Sequence, residues 1–136
     1  MDIFKYDYLP EEAKEIRIKV FVEEQGFTDE MDEIDDIATH FVAFSGKKPV
    51  GTCRIFETKD GYVLGRLAVL KEFRKNGVGK ELLKFAQETV AEKGGSFLKL
   101  HSQTHAINFY EKCGYKSFGE IEYEQDCPHI WMIKNF

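Results

Sequence analysis

Residues 67–86 read LAVLKEFRKNGVGKELLKFA, and the middle of this stretch decides how the chain is read. An apolar, strand-like run ends at Leu70, the basic pair Arg74–Lys75 follows, and Gly77 and Gly79 precede a strongly helical segment. Two glycines this close together cost backbone entropy on folding, so the position needs a reason for them. Strand, glycine turn and helix start together make a phosphate-holding arrangement. The first amides of a helix have no intrahelical partner, and the helix dipole adds partial positive charge there. Glycine lets a ligand approach the backbone, and Arg74 and Lys75 add formal charge. A plain connector that needs flexible turns would give the same local pattern. The stretch is not a Walker A loop, because Gly79–Lys80 is followed by Glu81, and not a dinucleotide fingerprint, because Leu82 stands where the third glycine belongs.

Outward from the turn, Val78, Leu82, Ala86 and Val90 recur every four residues, and Gly94 stops the pattern, so a helix is expected over 77–93. Upstream, HFVAFS (40–45), VGTCRIFET (50–58) and YVLGRLAVL (62–70) read as three adjacent antiparallel strands joined at GKKP and TKDG. Residues 3–8 form a first strand. Leu9, Ala13, Ile16 and Val20 mark a helix opened by Pro10 and reaching about Val22. Downstream come a strand at FLKLHS (97–102), a short helix at 106–113, and a late hairpin from YKSFGEI (115–121) and HIWMIKN (129–135). The order β-α-β-β-β-α-β-α-β-β specifies an α+β fold in which helices flank a mixed, mostly antiparallel central sheet, organised as one domain over 1–136.

Composition narrows the function. A 136-residue chain with 43% hydrophobic residues can bury a core of its own. Its formal charge of −5 argues against a general nucleic-acid surface, though a local basic pocket remains compatible with it. Cys53, Cys113 and Cys127 are odd in number and lack CxxC spacing, which suits a reducing compartment better than a disulfide framework or a zinc knuckle. There is no apolar run of membrane-spanning length and no leader-like N-terminus, so a cytoplasmic location without membrane or metal is the expectation.

RKNGVG (74–79), preceded by LAVL, resembles the Arg/Gln-x-x-Gly-x-Gly/Ala motif of the GNAT acetyltransferase superfamily. AINFYEKCGY (106–115) is similar to that family's later A-x-x-F-Y-E-K helix. VFVEEQGF (20–27), EMDEIDDIATHF (30–41) and CPHIWMIK (127–134) resemble segments of one GNAT subgroup. Together these pieces span nearly the whole chain. The resemblance implies an acetyl-coenzyme A site. It puts the pyrophosphate on the amides of Arg74, Lys75, Asn76, Gly77, Val78 and Gly79, and the pantetheine arm along Leu67, Ala68 and Val69. Gln103, where relatives often carry Asn, and Asn108 complete the cofactor set. Lys75 replaces a glycine common in the family, which is acceptable only if that position does not need a positive φ.

The implied reaction is direct acetyl transfer to a primary amine of a small molecule or a protein. Tyr110 is the candidate general acid, since a phenol with a pKa of about 10 stays protonated at neutral pH and can donate to the departing thiolate. The amine must lose a proton before it attacks. Glu24, Asp35 and His40, from the subgroup segments, are candidates for that proton acceptor together with His101 and His129, while Arg66 either pairs with a carboxylate or faces the acceptor pocket, pairing being the expectation. The acidic run DEMDEIDD (29–36) is either a solvated loop or an attractor for a cationic acceptor. The rival reading is a non-catalytic acyl-CoA-binding or sensing domain. Family members are often dimers, and no residue here decides whether this chain forms a homodimer.

Overall fold

In the computed structural model, which describes residues 1–28 and 31–136, the elements follow the expected order. Strand β1 (Asp2–Tyr6) leads into α1 (Glu11–Arg17). Next come β2 (Thr39–Ser45), β3 (Lys48–Thr58), β4 (Gly61–Val69), α2 (Val78–Glu92), β5 (Phe97–Gln103), α3 (Ile107–Lys112), β6 (Lys116–Glu124) and β7 (Cys127–Asn135). One seven-stranded sheet results, in the order β1-β2-β3-β4-β5-β7-β6.

The two helices cover opposite faces because their apolar stripes demand it. Leu82, Leu83, Ala86 and Val90 of α2 are almost fully buried against Phe41, Ile55, Leu98, Leu100 and Met132. Ala13 and Ile16 of α1 pack on the other face with Val20, Val42, Ala68 and Leu70. Burying such side chains contributes about 1.5–3 kcal/mol each, before the entropy of ordering them is subtracted.

Near the N-terminus the boundaries differ from expectation. The first strand ends at Tyr6, and Asp7–Tyr8 bend away from it. The first helix is α-helical only to Arg17. Residues Ile18–Glu24 widen into a π-helix, with Gln25 N–H bonded to the Val20 carbonyl five residues back at 3.1 Å. Such wide turns are rare and concentrate at functional sites.

The sheet is weakest where the site lies. Every neighbouring pair of strands is antiparallel except β4 and β5, which run parallel and pair only over Tyr62–Leu64 with Leu98–Leu100. Beyond Leu64 the two strands part. A right-handed crossover through a helix is the usual way to join parallel neighbours, and α2 is the helix that joins these.

Candidate functional site

The glycine turn has the geometry that phosphate binding requires. Gly77 caps α2 at φ +82°, and an added Cβ there would meet no atom within 4 Å, so its glycine is needed for conformation rather than for space. No side chain among the described residues caps the helix, and Glu81 N–H closes the first intrahelical bond to the Gly77 carbonyl at 3.0 Å. The amides of Val78, Gly79 and Lys80 therefore have no intrahelical acceptor. A Cβ on Gly79 would lie 3.2 Å from the Phe109 ring, so α3 packs directly against the first turn of α2. The family-based proviso for Lys75 is not met, because Lys75 adopts φ +72°, the left-handed region that its usual glycine would occupy without strain.

Beside this turn, the edge of β4 that faces β5 has no ladder partner past Leu64 among the described residues. Strand β4 also bulges. Thr52 pairs with Ala68 and Arg54 with Gly65, so Arg66 and Leu67 both stand opposite Cys53. Arg66 takes φ +54° there, and its guanidinium reaches Asp32 at 3.2 Å. A bulge re-aims backbone groups and unpairs one residue. Gly65 within the strand pattern is the sequence signal that could have located it.

The gap opens into a cavity of about 490 Å³ that runs between the parted strands. Leu67 and Tyr110 line it from the β4 and α3 sides, and Phe21, Gln25 and Phe27 form the wall that follows the π-helix. Two bridges hold that wall to the sheet. Gln103 donates to Gln25 at 2.8 Å, and Gln125 of the β6–β7 turn accepts from both the amide and the hydroxyl of Thr28, at 3.0 and 3.1 Å. The side chain of Gln103, expected among the cofactor ligands, is thus engaged with Gln25, while Asn108 lies exposed on α3.

Tyr110 is buried at the α3 edge of the cavity, edge-on to Phe109 and Tyr115. Burial, reinforced by the neighbouring Cys53 and Cys113 thiols, pushes its phenol far above the ordinary value, so it remains protonated throughout the working pH range.

Glu24, Asp35 and His40 do not line the cavity, and the structure gives each another partner. Asp35 is a buried hub. Arg17 donates to its two oxygens at 2.8 and 3.0 Å, and Arg54 adds a bond at 2.8 Å. Burial opposes this charge, but the hydrogen bonds from Arg17 and Arg54 outweigh it and hold the carboxyl well below the usual carboxylate range. Such a group is a poor proton acceptor at neutral pH. Arg54 also clamps Asp32 at 2.6 and 3.0 Å. Asp32 and Asp35, the run's candidate attractors for a cation, are therefore largely neutralised, while Asp29 and Glu30 lie outside the described residues. His40 is buried beneath the hub, with Nε2 donating to the Asp35 carbonyl at 2.9 Å. Burial lowers its pKa, with the Asp35 contact opposing, so the ring is neutral and its Nε2 is already committed.

A different cluster faces the cavity. His101 of β5 is stacked on Trp131 of β7, with ring centroids 4.7 Å apart, and its Nδ1 lies 3.0 Å from Glu124 of β6. His129 lies 5.0 Å from His101, ring to ring, and its Nδ1 is bonded to the Cys127 carbonyl at 2.9 Å. The pairings His101–Trp131 and Gln103–His129 across β5 and β7 bring His101 beside His129 and Trp131, 28 and 30 residues further on, a proximity that no local pattern announces.

Comparison with known proteins agrees with this geometry. The acetyltransferase (GNAT) domain family model matches residues 4–136. The N-acetyltransferase YjcF of Bacillus subtilis is 40% identical over 124 residues, covering 88% of either chain. The crystal structure of Escherichia coli ElaA superposes with a TM-score of 0.85 at 26% identity, covering 98% of this chain and 99% of that one. An aminoglycoside 6'-N-acetyltransferase complexed with coenzyme A shares the fold at a TM-score of 0.79 and 21% identity, covering 99% of this chain and 97% of that one.

Proposed function

As this chain belongs to the GNAT acetyltransferase family, we propose that it is an enzyme that transfers the acetyl group of acetyl-CoA directly to the nitrogen of a primary amine. Carrying the proposal is the gap where β4 and β5 part, with an uncapped helix start at one end and Tyr110 and the His101 cluster along the cavity it opens into.

The residues present suit acetyl-CoA. The open amides of Val78, Gly79 and Lys80 and the space over Gly77 fit a diphosphate, with Arg74, Lys75 and Asn76 forming the adjoining loop. The unpaired edge of β4 from Gly65 to Val69 offers main-chain groups to an extended amide-bearing arm, as an added strand would use them. When bound, acetyl-CoA supplies an acyl group activated as a thioester. Main-chain donors at the Arg66–Leu67 bulge would be the groups to stabilise an oxyanion. Tyr110 donates a hydrogen bond toward the sulfur. Its raised pKa keeps it protonated and makes it a persistent hydrogen-bond donor to the departing sulfur. Asp35 and His40, tied into the buried hub, keep β2, β3 and α1 in register around the cavity.

Titration calorimetry with acetyl-CoA, followed by thiol release across a panel of primary amines, tests the proposal. Saturable binding together with amine-dependent thiol release is expected. Binding without release from any amine would make the protein a sensor, and an absence of binding would remove the proposal altogether.

A further inference from the structure

Within the acyl-transfer reading, on which this inference rests, we propose that His101 is the group that takes the proton from the acceptor ammonium and that Glu124 is its positioning residue. The two ring nitrogens of His101 have different surroundings. Nδ1 lies 3.0 Å from Glu124 Oε1, aligned for a hydrogen bond. A carboxylate only accepts, so Nδ1 carries a proton, and in the neutral ring the lone pair is then on Nε2. Nε2 is buried and has no hydrogen-bond partner among the described residues. Its nearest charged neighbour is Glu122 Oε1 at 3.3 Å, out of line for a hydrogen bond. A buried polar atom left without a partner needs an explanation, and proton acceptance supplies one. Once Nε2 is protonated, the positive ring stands 3.3 Å from the Glu122 carboxylate, which favours the charge. The Glu122 side chain is 61% exposed and can move aside for an incoming ammonium and then pair with it.

Packing holds the ring in this pose. Trp131 stacks beneath it, and the β5–β7 pairing sets His101 directly opposite Trp131. The charged and titratable groups around it come from several elements. Glu122 and Glu124 of β6 face it, and the second oxygen of Glu124 stands 3.6 Å from His129 Nε2 on β7. On β5 itself, Lys99 Nζ sits 5.9 Å from the centre of the Trp131 ring. Elsewhere on the cavity wall are Arg54 on β3, Arg66 on β4, Asp32, His105 and Tyr110. Arg54 and Arg66 are bonded to Asp32, which leaves Glu122 and Glu124 as the carboxylates closest to the imidazole. His101 and Tyr110 line the same cavity, so a nitrogen and a sulfur held in it are served by different residues.

The step balances. One proton of the ammonium passes to Nε2, and the freed lone pair forms the C–N bond as the C–S bond breaks. A second nitrogen proton ends on the sulfur, where Tyr110 donates, and Nε2 returns its proton to water. The net reaction turns an ammonium and a thioester into an amide, a thiol and one released proton.

Nitrogen-15 NMR of the intact protein reads the ring directly. At pH 8 the His101 signals are expected to show a protonated Nδ1 and an unprotonated Nε2, and Glu124→Gln should erode that preference. The opposite tautomer in the parent protein would overturn the proposal. In kinetics, His101→Gln should bind acetyl-CoA as the parent does while losing about 100-fold in kcat with ethanolamine or whichever panel amine gives the fastest thiol release, together with the acid limb of the kcat/KM profile. A variant that retains both the rate and the limb would also overturn it. If the parent fails to bind acetyl-CoA, the acyl-transfer reading falls. Normal binding and turnover with the wrong tautomer sinks only the role of His101.

Discussion

Glu24 and Arg74, fifty residues apart in sequence, meet in a two-pronged ion pair with N–O distances of 2.6 and 2.7 Å, while Arg74 Nε holds the Val69 carbonyl at 3.0 Å. The pair links the end of the π-helix to the start of the glycine turn and lowers the Glu24 pKa through the Arg74 hydrogen bond. Arg74 thus already holds an anion. If it is to reach a diphosphate, Glu24 competes for it.

Glu24→Gln is therefore expected to tighten acetyl-CoA binding. Exposed ion pairs contribute at most about 1 kcal/mol, so the gain should not exceed about fivefold in Kd, with little change in Tm. Arg74→Ala should weaken binding. Calorimetry on both variants checks this, and a Glu24→Gln protein with clearly poorer affinity would mean that Glu24 supports the bound state instead.

Asp35→Asn should destabilise the fold by about 3–5 kcal/mol, because it leaves Arg17 and Arg54 facing a neutral amide in a buried site. The sign with pH follows from the direction of the shift. The folded carboxyl is held below its ordinary value of about 3.9, so acid protonates the unfolded state first. The contribution of Asp35 is complete above about pH 5 and is lost as pH falls through the depressed folded value. Denaturant midpoints measured from pH 7 down to pH 3 should fall more steeply for the parent than for Asp35→Asn.

Tyr110→Phe keeps the ring that packs against Phe109 and Tyr115 and removes only the donor. Turnover should drop by about 100-fold while the acetyl-CoA Kd stays within about twofold. Rapid-quench turnover beside calorimetry separates the two effects, and undiminished turnover would exclude the tyrosine from the chemistry.

Gly77→Ala imposes a left-handed conformation on a residue with a Cβ, at a cost of about 1–2 kcal/mol, although the space is empty. Part of that cost should appear as weaker acetyl-CoA binding, as the turn relaxes away from φ +82°. Lys75→Gly should do the reverse for stability, relieving a strained φ at the expense of one positive charge. Thermal melts with and without acetyl-CoA resolve both variants.

Much of this fold could be read from the chain because its signals are local. The i+4 stripe of α2, the turn at 58–61 and the glycine turn each lie within a few residues and stand where they were expected, while the turn expected over 46–49 is tighter, Gly46–Lys47, with Lys48 and Pro49 already in β3. The π-helix after Arg17 did not show, since its apolar spacing at Ile16 and Val20 serves an α-helix equally well and the widening is set by how the segment meets the sheet. Strand β6 ran three residues past its expected end because the register slips between Phe118 and Glu122 and a tight turn at Gln125–Asp126, both at positive φ, closes the hairpin. Site residues divided in the same way. The phosphate loop is one contiguous segment. The choice among proton acceptors depended on which carboxylates meet arginines, and the partners of Asp35 lie 18 and 19 residues away on different elements.

Among the described residues, three pairs, Tyr62–Leu64 with Leu98–Leu100, are the only strand-to-strand stitching between the four-strand and three-strand portions of the sheet. A molecule lying in the gap would act as mortar along that seam. Its arrival would be felt as stiffening between two slabs that otherwise flex about a short joint, and backbone amides on both lips of the joint would be the first to slow their exchange with heavy water.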